Sequence, residues 1–190
     1  RLWARCWHRL ARMWCVWTAR AVAGAPPAGA KPDVAPLIEW AKRAAEGNRI
    51  YAPAGDNLRE LLDRIEKVTP HNAEADALRK KVTNQLRLKG LAALRSRNAE
   101  SAERSFRGVL ALEEDDPLAR QELSKALVLL AEQKLDGRKP LLALKYAEEA
   151  RVLDPQTTRA PLIEAQALLA LKRPKEAAAI YERILEGKPR

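Results

Sequence analysis

From residue 33 onward, apolar side chains recur at intervals of three and four, and no stretch alternates long enough to make a strand. Eight helices are predicted, at about 35–46, 57–68, 73–96, 99–112, 117–134, 140–152, 159–171 and 174–186. The residues between them are helix punctuation. Asn57 with Glu60 has N-cap and N3 character, Asn72 opens the third helix, and Asn98, Asp116 and Thr158 can each accept from the free amides of a first turn. Pro117, Pro140, Pro161 and Pro174 fit first turns, where a missing amide costs nothing. Gly47, Gly137 and Gly187 follow apolar runs, where a left-handed cap residue is wanted.

Composition supports the all-α reading. Hydrophobic residues make up 47 % of the 190, yet aromatics only 5 %, so Ala and Leu must fill most of the interior. Both are strong helix formers, and β-branched residues are sparse. The net charge of +10 is unevenly placed: residues 1–32 hold six basic and no acidic side chains, leaving 10 − 6 = +4 for the remainder. A broad phosphate-tracking face is therefore not expected on the body, and nucleic acid is disfavoured as a partner.

Residues 1–24 have a different pattern. Trp3, Trp7, Leu10, Trp14 and Trp17 follow at steps of four, three, four and three, so in a helix they share one face, with Arg1, Arg5, Arg9, Arg12 and Arg20 opposite. Such a basic, Trp-bearing helix suits an anionic membrane surface, self-association or a partner's groove, or it caps the end of the body; all of these stay open. Residues 25–34 have linker composition, and 35–190 form the helical domain. The chain opens on Arg1 rather than Met, as a fragment or processed product would, and the interruptions by Arg make 1–24 neither a membrane span nor a signal peptide. Cys6 and Cys15 lie about 180° apart on that helix and cannot pair within it.

An internal repeat runs through the domain. Ala35-Pro36-Leu37-Ile38-Glu39 recurs as Ala160-Pro161-Leu162-Ile163-Glu164, and Pro140 with Pro174, and Ala143 with Ala177, keep a spacing of 34. In the last unit Ala165, Leu168, Ala177, Tyr181, Ile184 and Pro189 resemble the tetratricopeptide signature. The unit before supplies Ala143, Ala150, Leu153 and Pro155, and the one before that Ala102, Phe106, Val109 and Leu112. Leu62, Ile65, Val68 and Pro70 close the earliest pair. The chain thus resembles the tetratricopeptide (TPR) family, and is similar to divergent bacterial repeats that stand beside membrane or signalling modules. About seven residues too many separate Glu114 from Ala143, and about ten separate Pro70 from Ala102, so lengthened first helices are expected. The loop from Asn48 to Gly55 is longer than a tight turn.

The resemblance implies a solenoid of about four helix pairs, a non-enzymatic scaffold or adaptor whose concave groove holds a partner peptide or helix. By the same resemblance, Asn84, Arg87, Gln121, Lys125, Arg159, Leu162 and Gln166 are the partner-facing positions. The alternatives are a membrane-peripheral adaptor anchored by residues 1–24 and an RNA-binding helical repeat. A cytoplasmic site, in contact with a membrane or not, is expected.

Chemistry-bearing motifs are lacking. There is no phosphate loop, no metal-binding Cys/His cluster and no nucleophile elbow, so no catalytic residue, cofactor or metal is expected. The acidic run Glu113 to Asp116 reads as a solvated cap before Pro117. His71 reads as a turn residue with its ring in solvent. Ala102, Ala143 and Ala177 read as packing positions. Between Ala77 and Asn98 lie Arg79, Lys80, Lys81, Arg87, Lys89, Arg95 and Arg97 with no acid, mostly as solvated positions; a groove-facing subset would suit an acidic peptide.

Overall fold

The computed structural model describes residues 33–187. The segment carrying Trp3, Trp7, Leu10, Trp14 and Trp17 lies outside the described residues, as does Pro189. Among the described residues there are eight helices and no strand: α1 (Ala35–Glu46), α2 (Leu58–Val68), α3 (Ala73–Arg95), α4 (Ala99–Leu112), α5 (Pro117–Asp136), α6 (Pro140–Leu153), α7 (Arg159–Ala170) and α8 (Pro174–Leu185). None of them is long and apolar enough to cross a membrane. The lengthened first helices are present, with 23 residues in α3 and 20 in α5 against 12 in α7.

Most helix starts follow the sequence signals. The side chains of Asn57, Asn72, Asn98 and Asp116 each accept a first-turn amide. Glu60 accepts from the Gly55 amide, so the box closes on the loop rather than on the cap residue itself. Thr158 departs from expectation and makes no side-chain cap bond. Its backbone is already helical, at φ −87° and ψ −19°, whereas a capping hydroxyl needs an extended backbone to reach the next amides.

The helix ends correct a second expectation. Gly47 and Gly137 are not left-handed; their φ values are −75° and −74°. The left-handed residue is the next one, Asn48 (54°) or Arg138 (56°), matched by Arg97 (57°) after α3 and Lys172 (59°) after α7. Each of these four turns closes with the same two bonds. The left-handed residue donates to the carbonyl three back, and its successor donates five back: Arg49 to Ala44, Asn98 to Ala93, Lys139 to Lys134 and Arg173 to Leu168. This is the Schellman closure, in which the glycines occupy the half-helical C-cap and the following residue turns left-handed. Gly187 alone of the three predicted glycines is left-handed, at φ 63°.

The turns fix a common register. Seven residues before the left-handed position stand Gly90, Ala131 and Ala165; five after it stand Ala102, Ala143 and Ala177; nine after it stand Phe106, Ala147 and Tyr181. The three alanines after the turns are all fully buried, as packing positions should be. In the α3/α4 pair a methyl group on Gly90 would come within 2.7 Å of the Phe106 ring, so the helices approach through a residue without a side chain. The extra residues of α3 and α5 therefore extend their N-terminal ends and leave the pairs unshifted.

Each helix packs on its neighbours in sequence, and the odd-numbered helices also touch in succession, α1 on α3, α3 on α5 and α5 on α7. The core is correspondingly extended. One cluster joins α1, α2 and α3 with Val109 and Leu112 of α4 and Ala119 of α5, a second runs from Ala93 of α3 through α4, α5 and α6 to Ala160 and Ile163 of α7, and a third joins α6, α7 and α8. Nearly half of its buried apolar residues are alanines, which lets backbones approach closely.

Candidate partner-binding face

Long first helices leave side chains exposed along α3, α5 and α7, and the sequence-predicted positions fall among them. Asn84, Gln121, Lys125, Arg159, Leu162 and Gln166 are exposed, and Arg87 is half-buried. Three of them meet. Arg159, Leu162 and Gln166 line a cleft of about 420 Å³ with Glu132, Leu135 and Asp136, where the N-terminal half of α7 crosses the C-terminal end of α5. Asn84, Gln121 and Lys125 do not line it.

The charged predicted positions are committed to ion pairs. Lys125 Nζ lies 2.8 Å from Glu122 on its own helix. Arg159 pairs with Glu132, which also faces Arg97 at 3.9 Å. Arg87 reaches across to α5, with one terminal nitrogen 2.6 Å from Asp116 and 3.6 Å from Glu113.

The Arg87 contact belongs to a recurring junction. Lys42 near the end of α1 pairs with Glu74 at the start of α3, at 2.7 Å. Arg87 in α3 pairs with the α5 cap Asp116, and Glu132 in α5 pairs with Arg159 at the start of α7. In the first two junctions the acid stands at the helix N-terminus, where the backbone dipole favours it; in the third the positions of acid and base are exchanged. Burial opposes ionisation of the Asp116 carboxyl. Hydrogen bonds from Ala119 N–H, Arg87 and Leu118 N–H, with the Arg87 charge, outweigh it and hold the group below its ordinary range.

Sequence reasoning missed the use of the acidic run. Asp116 is the expected cap, but Glu113 and Asp116 also hold Arg87, Glu114 holds Arg59 of α2 at 2.5 Å, and Asp115 holds Arg120 at 3.0 Å. The run ties α2, α3 and α5 at one corner. The available signal was the block of arginines without nearby acids in α3, which had to find partners from another element. His71 is exposed and left-handed, with its backbone amide 3.3 Å from the Glu66 carboxylate.

The cleft is not basic. Glu132 and Asp136 stand against Arg159, above the apolar Leu135, Leu162 and Ile163. On α3, Lys80, Lys81 and Arg95 are exposed and have no carboxylate within ion-pair distance among the described residues. Among the described residues no group of three His, Cys, Asp or Glu side chains is placed to hold a metal ion. Neither protein-family models nor curated proteins give a match to this chain.

Proposed function

We propose that the chain is a non-enzymatic, protein-binding solenoid of tetratricopeptide type, in which the exposed face of α3, α5 and α7 holds an extended segment or helix of a partner protein. One observation carries this reading. Three successive helix pairs share one register around an identical left-handed turn, and their first helices touch in a row. A stack built that way lines one side with first helices, which is how such repeats present a binding groove. The α3/α4 pair adds the repeat pattern itself, Gly90 followed by Ala102-x-x-x-Phe106, with the ring seated on the glycine.

The charge on the face defines the partner. Basic side chains on α3 suit acidic residues, while Glu132 and Asp136 at the cleft suit a cation, with Leu135 and Leu162 receiving an apolar side chain between them. The partner is thus a bipolar segment, acidic at one end and basic at the other. A membrane-peripheral form of the same adaptor is supported by the Trp and Arg faces of residues 1–24 and is read by sedimentation of the full chain with anionic vesicles.

Charge reversal tests the face. Asp136→Lys with Leu162→Ala, made together in the full chain, should weaken a captured partner by about tenfold or more while leaving the thermal midpoint nearly unchanged, because both side chains are exposed. Unaltered affinity would place the site elsewhere.

A further inference from the structure

A second cleft, of about 240 Å³, opens where the α1–α2 loop stands beside α3 and α4. Its wall is made by Asn48 and Tyr51 of the loop, Lys89 of α3, and Ser101, Arg104 and Ser105 of α4. Ile50 and Leu86, both buried, form its floor. No carboxylate lines it, whereas the α5/α7 cleft carries two and the neighbouring hollow at the end of α1 carries Glu46.

The hydrogen-bond inventory leaves donors in this cleft. Arg104 spends Nε on the Glu100 carbonyl at 3.2 Å and keeps both terminal nitrogens. Ser105 spends its hydroxyl hydrogen on the Ser101 carbonyl at 2.7 Å. Lys89 and Arg104 make no ion pair with any described carboxylate; Glu103, next to Arg104 in sequence, is held by Arg107 at 2.6 Å, and Glu100, one turn earlier, by Lys134 at 3.0 Å. The Lys89 ammonium, the Arg104 fork, the Tyr51 and Ser101 hydroxyls and the Asn48 amide are therefore available to one occupant.

We propose that this cleft is an anion site for a phosphate monoester, held by Lys89 and Arg104 and bonded by Tyr51, Ser101 and Asn48. The charge count selects the ligand. Two cations with no acid balance a group carrying close to two negative charges, and the surplus of donors matches three phosphoryl oxygens better than a carboxylate's two. Tyr51, with 45 % of its surface exposed, stands at the rim, where it can cover the chain that bears the phosphate. The site lies apart from the α5/α7 cleft and does not depend on the function proposed for that face.

The test uses the full chain and three probes at physiological salt: a short peptide with a central phosphoserine, the same peptide unphosphorylated, and inorganic phosphate. Titration by nuclear magnetic resonance should show saturable shifts of Tyr51, Ser101 and Ser105 amides with a phosphorylated probe and none with the unphosphorylated peptide. Preference for the peptide over inorganic phosphate identifies a modified partner as the source, and the reverse identifies a free phosphate compound. Lys89→Glu with Arg104→Glu should weaken binding about tenfold or more, with the helical spectrum and thermal midpoint retained. Tyr51→Phe with Ser101→Ala, which leaves the charge alone, should weaken it by a smaller factor. The exposed control Lys145→Glu with Lys175→Glu should leave it unchanged. Failure of both phosphorylated probes to bind, or equal binding by wild type and the Lys89/Arg104 variant, would overturn the assignment.

Discussion

The α3–α5 region and the α5–α8 region are built on one register and differ in how tightly it is closed. In the first, the Phe106 ring fills the space above Gly90, and Arg87 bonds to a cap residue whose side chain is only 9 % exposed. In the second, the same register positions hold Ala131 against Ala147, and Ala165 against Tyr181. Its junction pair puts Arg159 at a helix N-terminus, Thr158 caps nothing, and a cleft remains. The shared register therefore sets where helices lie, while the residues at each junction decide whether the seam between successive odd-numbered helices is closed or keeps a cleft.

Overfilling the tight pair should have the largest effect. Gly90→Ala puts a methyl group against a rigid ring, and although alanine is the better helix former, it should cost about 1–3 kcal/mol in chemical denaturation. Phe106→Leu in the same chain should recover part of that loss by making room. Ala131→Gly, at the equivalent position, lacks that ring and should lose only about 1 kcal/mol of helix propensity. Equal losses for Gly90→Ala and Ala131→Gly would show that the ring contact does not distinguish the two regions.

The caps come next. Asp116→Ala removes two amide bonds and the Arg87 partner together, and should cost about 2 kcal/mol. Asp116→Asn retains a capping oxygen but loses the charge pair, so about half that cost should remain. Thr158→Ala should change stability by less than about 0.5 kcal/mol, since no cap bond is present to lose. A Thr158 cost equal to that of Asp116 would erase the difference between the seams.

Acid titration isolates the charge at Asp116. Its folded carboxyl titrates below its ordinary value of 3.8, so the unfolded chain binds that proton first as pH falls. The stabilisation is complete above pH 3.8 and is lost as pH falls towards the depressed folded value. Wild type should therefore lose more stability than Asp116→Asn between about pH 4 and 2, as read from urea midpoints. Parallel curves would remove the electrostatic account of this seam.

Helix positions were legible because their causes are local. Prolines at Pro117, Pro140 and Pro174 and caps at Asn57, Asn98 and Asp116 act within one turn, and a helix starts beside each of them. Gly47 and Gly137 mark their left-handed turns one residue early, whereas Gly187 is itself left-handed; in three of the four Schellman turns a basic residue takes that conformation and the backbone closure enforces it. Side-chain partners were less legible still. Arg87 looked available in sequence, and its pairing with Asp116, 29 residues away, follows only once α3 and α5 lie together. The α5/α7 cleft likewise depends on the angle at which two helices cross, which no periodicity encodes.

The smallest effects should come from the left-handed turns, and they bear on both regions equally. Arg97, Arg138 and Lys172 hold φ near +57° with a side chain present, which costs each about 1 kcal/mol relative to glycine. Glycine relieves that strain but adds freedom to the unfolded chain, so the net gain from each substitution should be about 0.5 kcal/mol. Arg138→Gly and Lys172→Gly should deliver it cleanly, because neither side chain makes an ion pair with a described residue. Arg97→Gly should deliver slightly less, since Arg97 lies 3.9 Å from Glu132, but a pair that is 75 % exposed on the arginine side contributes little. The three gains should add in urea denaturation to within about 0.5 kcal/mol, because the turns are separate in sequence, although Gln133 links two of them by donating to the Arg97 carbonyl and accepting from the Gly137 amide. A loss of stability at any one of them would mean that its basic side chain contributes more to the fold than its backbone strain costs.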